Sequence, residues 1–313
     1  MSHLQAENLY NIRGLVAVIT GGGSGLGRTM ALTLATNGAA KVFILGRRED
    51  ALNETVAQFQ ATNPSTKDTG AETNIIIPIV TDVTSQASLE AAYAAISAQT
   101  THVDLLLVNS GILGPPAKIV DNPDGSKPSI AEVKDYLWSI PMEDFTRVFE
   151  VNTTGAYYTA IAFLPLLDAA NKRRVAPQKN VLSSPLAQIV ITSSIAGYSR
   201  RVPFDFAYNL SKASVNHLVK VLSTSLTDYN IRVNGIAPGL YYSEMSAGPN
   251  FEEGNTGVSD GSFPTSMIPM TRAGGEEDIA GLVLWIAGPS GGYINGNILV
   301  TDGGRLSVLQ SSY

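Results

Sequence analysis

Residues Leu15 to Gly38 read LVAVITGGGSGLGRTMALTLATNG. The first six, Leu15 to Thr20, are a near-continuous apolar run of strand length, the pattern of a parallel strand covered on both faces. A glycine-rich turn follows, Gly21-Gly22-Gly23-Ser24-Gly25-Leu26-Gly27, then a helical stretch that Gly38 stops. Strand, glycine turn, helix is the order in which such glycines bind a dinucleotide. The backbone must approach a pyrophosphate closely, and the helix N-terminus offers free N–H groups and a positive dipole end. The spacing is Thr-Gly-x-x-x-Gly-x-Gly rather than the more familiar G-x-G-x-x-G. Gly21, Gly23, Ser24, Gly25, Leu26 and Gly27 are thus candidate cofactor contacts.

Moving outward, a second apolar run, Val42-Phe43-Ile44-Leu45, ends in Gly46-Arg47-Arg48. In the dinucleotide fold an acid near this point binds the ribose 2′-hydroxyl, and arginine accommodates a 2′-phosphate. Arg47 and Arg48 stand where the acid would be, either as 2′-phosphate ligands or as a solvated basic turn. Further strands are expected at Ile75–Val80, Val103–Val108, Ile189–Ile191, Ile231–Ile236 and Asn297–Thr301, with helical stretches between them. The alternation implies one α/β domain over residues 1–313: a doubly wound, mostly parallel sheet of about seven strands with helices on both faces. Gly114 to Pro128 and Asn171 to Pro185 read as surface loops, and Met142 to Leu167 as helix. From Pro238 to Gly275 there is little periodicity, the pattern of a functional lid or a disordered segment.

The chemistry concentrates in Val190 to Ser214, VITSSIAGYSRRVPFDFAYNLSKAS. A strand end carries Ser193-Ser194, and a helix carries Tyr208 and Lys212, four apart and so on one face. A free tyrosine has a pKa of about 10, and acid–base work at neutral pH needs about 4 kcal/mol of preferential phenolate stabilisation. A lysine cation supplies part of that, and a serine hydroxyl can hold the substrate oxygen while the tyrosine transfers its proton. The same helix is apolar nearly all round (Leu210, Ala213, Val215, Leu218, Val219, Leu222, Leu226), which predicts a homodimer or homotetramer contact.

Composition narrows the alternatives. The net charge of −6 argues against nucleic acid as a partner. The absence of cysteine removes disulfides, thiol catalysis and thiolate metal sites, and His3, His102 and His217 lie too far apart in sequence to suggest a metal, so none is expected. No apolar run reaches the length of a membrane span, and the start MSHLQAENLYN has no signal-like core, so a cytoplasmic location is expected.

Taken together, these residues resemble the short-chain dehydrogenase/reductase family from about Gly14 to Gly304. The resemblance implies that Asp82-Val83 is an adenine-binding pair, and that Asn109-Ser110-Gly111 stands for the family's Asn-Ala-Gly. It makes Asn152, Ser194, Tyr208 and Lys212 a catalytic set, with Asn152 holding a proton-relay water. Pro238-Gly239 would open the substrate loop, with Ser243 on the nicotinamide amide. The stretch from Ser194 to Tyr208 is one residue longer than usual, which leaves Ser193 as an alternative to Ser194. The implied activity is NADP(H)-dependent interconversion of a ketone and a secondary alcohol, with NADH the poorer cofactor. The substrate would be small or a secondary metabolite, as in similar fungal members. The other readings are a reductase of carrier-bound oxoacyl chains, to which Arg200 and Arg201 would speak, and a non-catalytic NADPH-binding protein on the same fold.

Overall fold

The apolar runs become seven parallel strands of one sheet, in the order β3-β2-β1-β4-β5-β6-β7. They are β1 (Val16–Thr20), β2 (Lys41–Gly46), β3 (Ile76–Val80), β4 (Leu105–Val108), β5 (Gln188–Thr192), β6 (Arg232–Pro238) and β7 (Ile298–Thr301). This computed structural model describes residues 2–62, 74–176, 179, 182–202, 205–246, 251 and 254–313. The polar stretch of residues 62–72, TNPSTKDTGAE, lies mostly outside them, as do parts of the loops expected at 171–185 and 238–275.

The helices are α1 (Ala6–Leu9), α2 (Gly25–Thr36), α3 (Glu49–Thr62), α4 (Gln86–Ser97), α5 (Ile130–Trp138), α6 (Met142–Phe149), α7 (Gly155–Ala162), α8 (Leu164–Lys172), α9 (Phe206–Ser225) and α10 (Glu276–Ala287). Successive residues of a strand face opposite sides of the sheet, and β1 shows the consequence. Val16 and Val18 pack with Val215, Val219 and Leu222 of α9, whereas Ala17 and Ile19 pack with Met30 and Leu34 of α2 and Val283 of α10. Both faces are therefore dry, which is why these strands read as unbroken apolar runs rather than alternating ones.

The helix expected from Met142 to Leu167 is in fact divided. A π-helical turn, Glu150–Thr154, separates α6 from α7, and a second break at Phe163 separates α7 from α8. Pro165 sits in the first turn of α8, where its missing N–H costs nothing, so the chain restarts a helix there instead of continuing one. Helix α8 also runs to Lys172, beyond the expected end. The sheet order reverses between β1 and β4, the point where such sheets open a crevice at their carboxyl ends. Gly21, Arg47, Asn109, Ser193 and Gly239 all follow the carboxyl ends of strands at this edge.

Candidate active site

A cleft of about 600 Å³ opens there. Its floor is the glycine turn. Gly25 has φ +49°, a left-handed conformation that glycine adopts without strain. Gly27 carries no side chain for a different reason: a Cβ there would stand 2.1 Å from the Gly21 carbonyl oxygen. Helix α2 therefore packs directly on the turn. No side chain caps its N-terminus, so the N–H groups of its first turn remain available to an anion. Gly21, Ser24, Gly25 and Leu26 line the cleft. Gly23 and Gly27 shape the turn from behind, the Gly23 carbonyl accepting Arg28 Nε and Nη2 at 3.1 and 2.7 Å.

Strand β5 and helix α9 supply the reacting groups. Ser194, Tyr208 and Lys212 all line the cleft. The Ser194 hydroxyl hydrogen-bonds the Tyr208 phenol, accepts the Ala196 N–H at 3.1 Å and reaches the Pro238 carbonyl at 3.5 Å. Ser193 also borders the cleft, but its hydroxyl is turned to α9, 2.6 Å from Asn216 Oδ1 and 3.1 Å from the Lys212 carbonyl, tying β5 to α9. Lys212 Nζ donates to the Thr192 carbonyl at 2.8 Å and stands 5.7 Å from the Tyr208 ring centre. Burial lowers the Lys212 pKa to about 8, so the ammonium is charged at neutral pH. Burial pushes the Tyr208 phenol up, the Ser194 hydrogen bond opposes it, and the Asp205 carboxylate adds to the rise. Tyr208 is therefore protonated in this state.

Asp205 caps α9, accepting the Tyr208 N–H at 2.5 Å on Oδ1 and the Gly114 N–H at 3.0 Å on Oδ2. It joins the long loop after β4 to the helix that carries Tyr208, a connection not visible in the sequence. A Cβ on Gly114 would come within 2.6 Å of Asp205 Oδ1.

The end of β4 is held from both sides. Thr20 Oγ1 accepts the N–H groups of Asn109 and Ser110 at 2.9 and 3.0 Å. Asn152, in the π-helical turn, accepts the Ile112 N–H at 2.8 Å and donates to the Ile112 carbonyl and Ser211 Oγ, each at 3.0 Å. It is 1% exposed and does not line the cleft, but lies behind Gly111 together with Lys212 Nζ. Asn109 and Gly111 do line it, as do Pro238, Gly239 and Ser243. Asp82 and Val83 do not: Asp82 Oδ1 accepts the Thr84 N–H and hydroxyl, and Val83 packs with Leu89 and Val151.

Arg47 and Arg48 both line the β2 side. Arg48 is already engaged, with Glu244 at 2.7 Å and Ser24 Oγ at 3.2 Å, whereas Arg47 reaches Asp82 only through space. The β7 side holds two lining residues that the sequence reading missed, Arg305 and Leu309. The diglycine turn at Gly303-Gly304, directly after a strand, was the available signal. Among the described residues, no group of three or more His, Asp or Glu side chains is placed to hold a metal, and no helix is long and apolar enough to cross a membrane.

Known proteins share this arrangement. The family model described as short chain dehydrogenase matches residues 15–253. The chain is 41% identical to the short-chain dehydrogenase/reductase PhomF of Diaporthe leptostromiformis, over 99% of this chain and 97% of that protein. It is 28% identical to the rhamnolipids biosynthesis 3-oxoacyl-[acyl-carrier-protein] reductase of Pseudomonas aeruginosa, over 94% of this chain and 97% of that one. Among solved structures, the Pseudomonas aeruginosa RhlG/NADP active-site complex superposes with a TM-score of 0.72 at 26% identity, covering 95% of this chain and 98% of that one. A 7α-hydroxysteroid dehydrogenase complexed with NADH and 7-oxo glycochenodeoxycholic acid gives a TM-score of 0.72 at 25% identity, covering 98% of this chain and all of that one. With its parallel sheet, its glycine turn and this cleft, the chain belongs to the short-chain dehydrogenase/reductase family, a family of nicotinamide-dependent oxidoreductases.

Proposed function

We propose that the protein is an NADP(H)-dependent ketoreductase, interconverting a ketone and a secondary alcohol on a small organic substrate. The observation that carries this reading is the set Ser194, Tyr208 and Lys212 on one cleft wall, facing a glycine turn with an uncapped helix behind it. The bare Gly27 and the left-handed Gly25 fit a pyrophosphate, since any side chain on Gly27 would displace the turn. Gly21, Ser24, Gly25 and Leu26 would hold the phosphates, Arg47 and Arg48 the 2′-phosphate, and Asn109, Gly111, Pro238, Gly239 and Ser243 the remainder. Asp82 and Val83 would act on the adenine end from the β3 side. The bound cofactor supplies the hydride.

The chain's own residues supply everything else. Ser194 holds the substrate oxygen. Tyr208, protonated at neutral pH, donates its proton to that oxygen in reduction and recovers it in oxidation. Lys212, cationic below about pH 8, stabilises the phenolate left behind. Asn152 fixes the strand end beside Lys212 through Ile112, and its place behind Gly111 suits a relay water leading to that ammonium.

One Rossmann domain with a substrate loop at about 238–275 suffices for this chemistry. The relatives PhomF and SAT3 come from fungi, which supports a secondary-metabolite substrate over a carrier-bound one. Leu210 and Val221 on α9 are 51% and 46% exposed in the single chain, which supports a cytoplasmic homodimer or homotetramer joined through that face. Light scattering tests the association, and a monomer at micromolar concentration contradicts it. The activity is tested by following NADPH oxidation against a panel of ketones. Turnover is expected, and tight NADPH binding with no turnover of any ketone favours the non-catalytic reading.

A further inference from the structure

Among the described residues, the β7 side of the cleft holds a cation with no hydrogen-bond partner. Arg305 closes the turn Asp302-Gly303-Gly304-Arg305, whose two glycines have φ +60° and +82°. The Asp302 carboxylate is spent on the turn itself, Oδ1 accepting the Gly304 N–H at 2.9 Å and Oδ2 the Leu306 N–H at 2.7 Å. It acts on Arg305 only through space. The Arg305 Nε is closed off from solvent and has no acceptor, and among the described residues its guanidinium makes no hydrogen bond or ion pair.

Such an arrangement is costly unless something completes it. A guanidinium cannot shed its charge, and its Nε donor, closed off from water, is costly to leave without an acceptor. The position is also firmly held. A Cβ on Gly239 would stand 2.7 Å from Asp302 Cα, so the turn packs directly on the strand end whose Pro238 carbonyl meets Ser194. The following segment is pinned to the loop between Ser194 and Tyr208: the Arg200 N–H donates to the Gln310 carbonyl, and the Ser312 N–H to the Tyr198 carbonyl, each at 2.8 Å. Arg305 therefore lines the same cleft as Ser194 and Tyr208 from a fixed wall, with apolar Leu240 and Leu309 also in the lining.

Charge points the same way. Among the described residues the lining holds four cations, Arg47, Arg48, Lys212 and Arg305, and one acid, Glu244, which is paired with Arg48. Arg47 and Arg48 follow β2, on the far side of β1, β4, β5 and β6 from the Arg305 turn. A 2′-phosphate at that end leaves Arg305 unanswered.

We propose that Arg305 is a substrate-binding residue that receives a carboxylate, so that the substrates are oxo acids and their hydroxy-acid partners. This rests on the ketoreductase reading given above. A guanidinium fork matches a planar carboxylate with two hydrogen bonds. One cation also balances one negative charge, which favours a carboxylate over a phosphate of charge near −2.

The test uses the full-length protein with NADPH and four acids that place the carboxylate at different distances from the ketone: benzoylformate, phenylpyruvate, 3-benzoylpropionate and levulinate, each with its methyl ester. Wild type, Arg305→Gln and Arg305→Lys are compared for turnover and for thermal stabilisation of the NADPH complex. NADPH affinity and circular dichroism of the variants serve as controls for folding. The expected result is that at least one acid exceeds its ester in kcat/KM by about 10- to 100-fold, the worth of one charge-assisted contact. Arg305→Gln should remove that preference by raising KM for the acid about 10- to 100-fold, with a much smaller loss on the ester, and Arg305→Lys should restore part of it. Equal use of acid and ester by wild type, or equal losses for both in Arg305→Gln, overturns the proposal. If no ketone is reduced but acids stabilise the wild-type NADPH complex and not the Arg305→Gln complex, the carboxylate site stands and the ketoreductase reading falls. Neither turnover nor stabilisation by any acid overturns the proposal, while the ketoreductase reading keeps its own test on uncharged ketones.

Discussion

The Lys212 ammonium donates to the Thr192 carbonyl at 2.8 Å while standing 5.7 Å from the centre of the Tyr208 ring. This buried cation weakens the fold in order to serve the site. Burial lowers its pKa from 10.5 to about 8, which corresponds to a penalty of about 3 kcal/mol at neutral pH. Lys212→Met should therefore abolish turnover and stabilise the cofactor-free protein by about 1–3 kcal/mol at pH 7, after allowing for the lost hydrogen bond. The sign with pH follows from proton counts. Between about pH 8 and 10.5 the unfolded chain keeps a proton that the folded one has released, so wild type gains stability as pH rises through that window. The advantage of the variant should shrink accordingly. Denaturant titrations of both proteins at pH 7 and above pH 10 check this, and a variant less stable at pH 7 contradicts it.

Asp205 is expected to act as a positioning residue for Tyr208. Its two oxygens hold the Tyr208 and Gly114 N–H groups. Asp205→Ala removes a helix cap and leaves a loop N–H unpaired, which should cost about 2–4 kcal/mol in stability. The drop in activity should fall mainly on kcat, with NADPH affinity preserved. Asp205→Asn, which keeps a capping oxygen, should recover much of both losses. Chemical unfolding and steady-state kinetics on the two variants distinguish positioning from a purely structural role, in which kcat of the folded Ala variant would be unchanged.

Cofactor choice should depend on Arg47 more than on Arg48. Arg48 is paired with Glu244, and Arg47 has no such partner within bonding distance among the described residues. Two charge-assisted hydrogen bonds from one arginine predict a preference for NADPH of roughly 10- to 100-fold. Arg47→Ala should raise the Kd for NADPH by about that factor and leave the Kd for NADH nearly unchanged. Fluorescence titration with both cofactors measures this directly. Equal losses for both would mean that the arginines are only a solvated turn.

Much of the fold was legible because both faces of the sheet's centre are covered, which makes β1, β2 and β4 apolar runs bounded by glycine or polar residues. The helix expected to carry Tyr208 and Lys212 is α9. The breaks at Glu150–Thr154 and Phe163 were not legible: apolar residues run on through Phe163, and the mostly polar π turn, Glu150-Val151-Asn152-Thr153-Thr154, carries neither proline nor glycine to mark it. At the site, the Ser193-Ser194 pair, Tyr208 and Lys212 stood out by residue type and spacing, and the structure brings Ser194, Tyr208 and Lys212 to one cleft. The choice between Ser193 and Ser194 needed coordinates, since adjacent residues at a strand end point in opposite directions. Arg305 and Asp205 escaped because their importance comes from partners: one has none, and the other has two far away in sequence. Neither condition leaves a local pattern.

The most direct test of the account follows deuterium from [4-²H]NADPH, labelled on either face, into the carbonyl carbon of a ketone substrate, with wild type and Tyr208→Phe compared under identical conditions. Wild type should deliver the label from one face only. Tyr208→Phe should bind NADPH as wild type does yet transfer the label at least 100-fold more slowly, the ordinary worth of a general acid. A variant that keeps more than about a tenth of the wild-type transfer rate would show that the proton comes from another group, and that the chemistry assigned to Tyr208 is wrong.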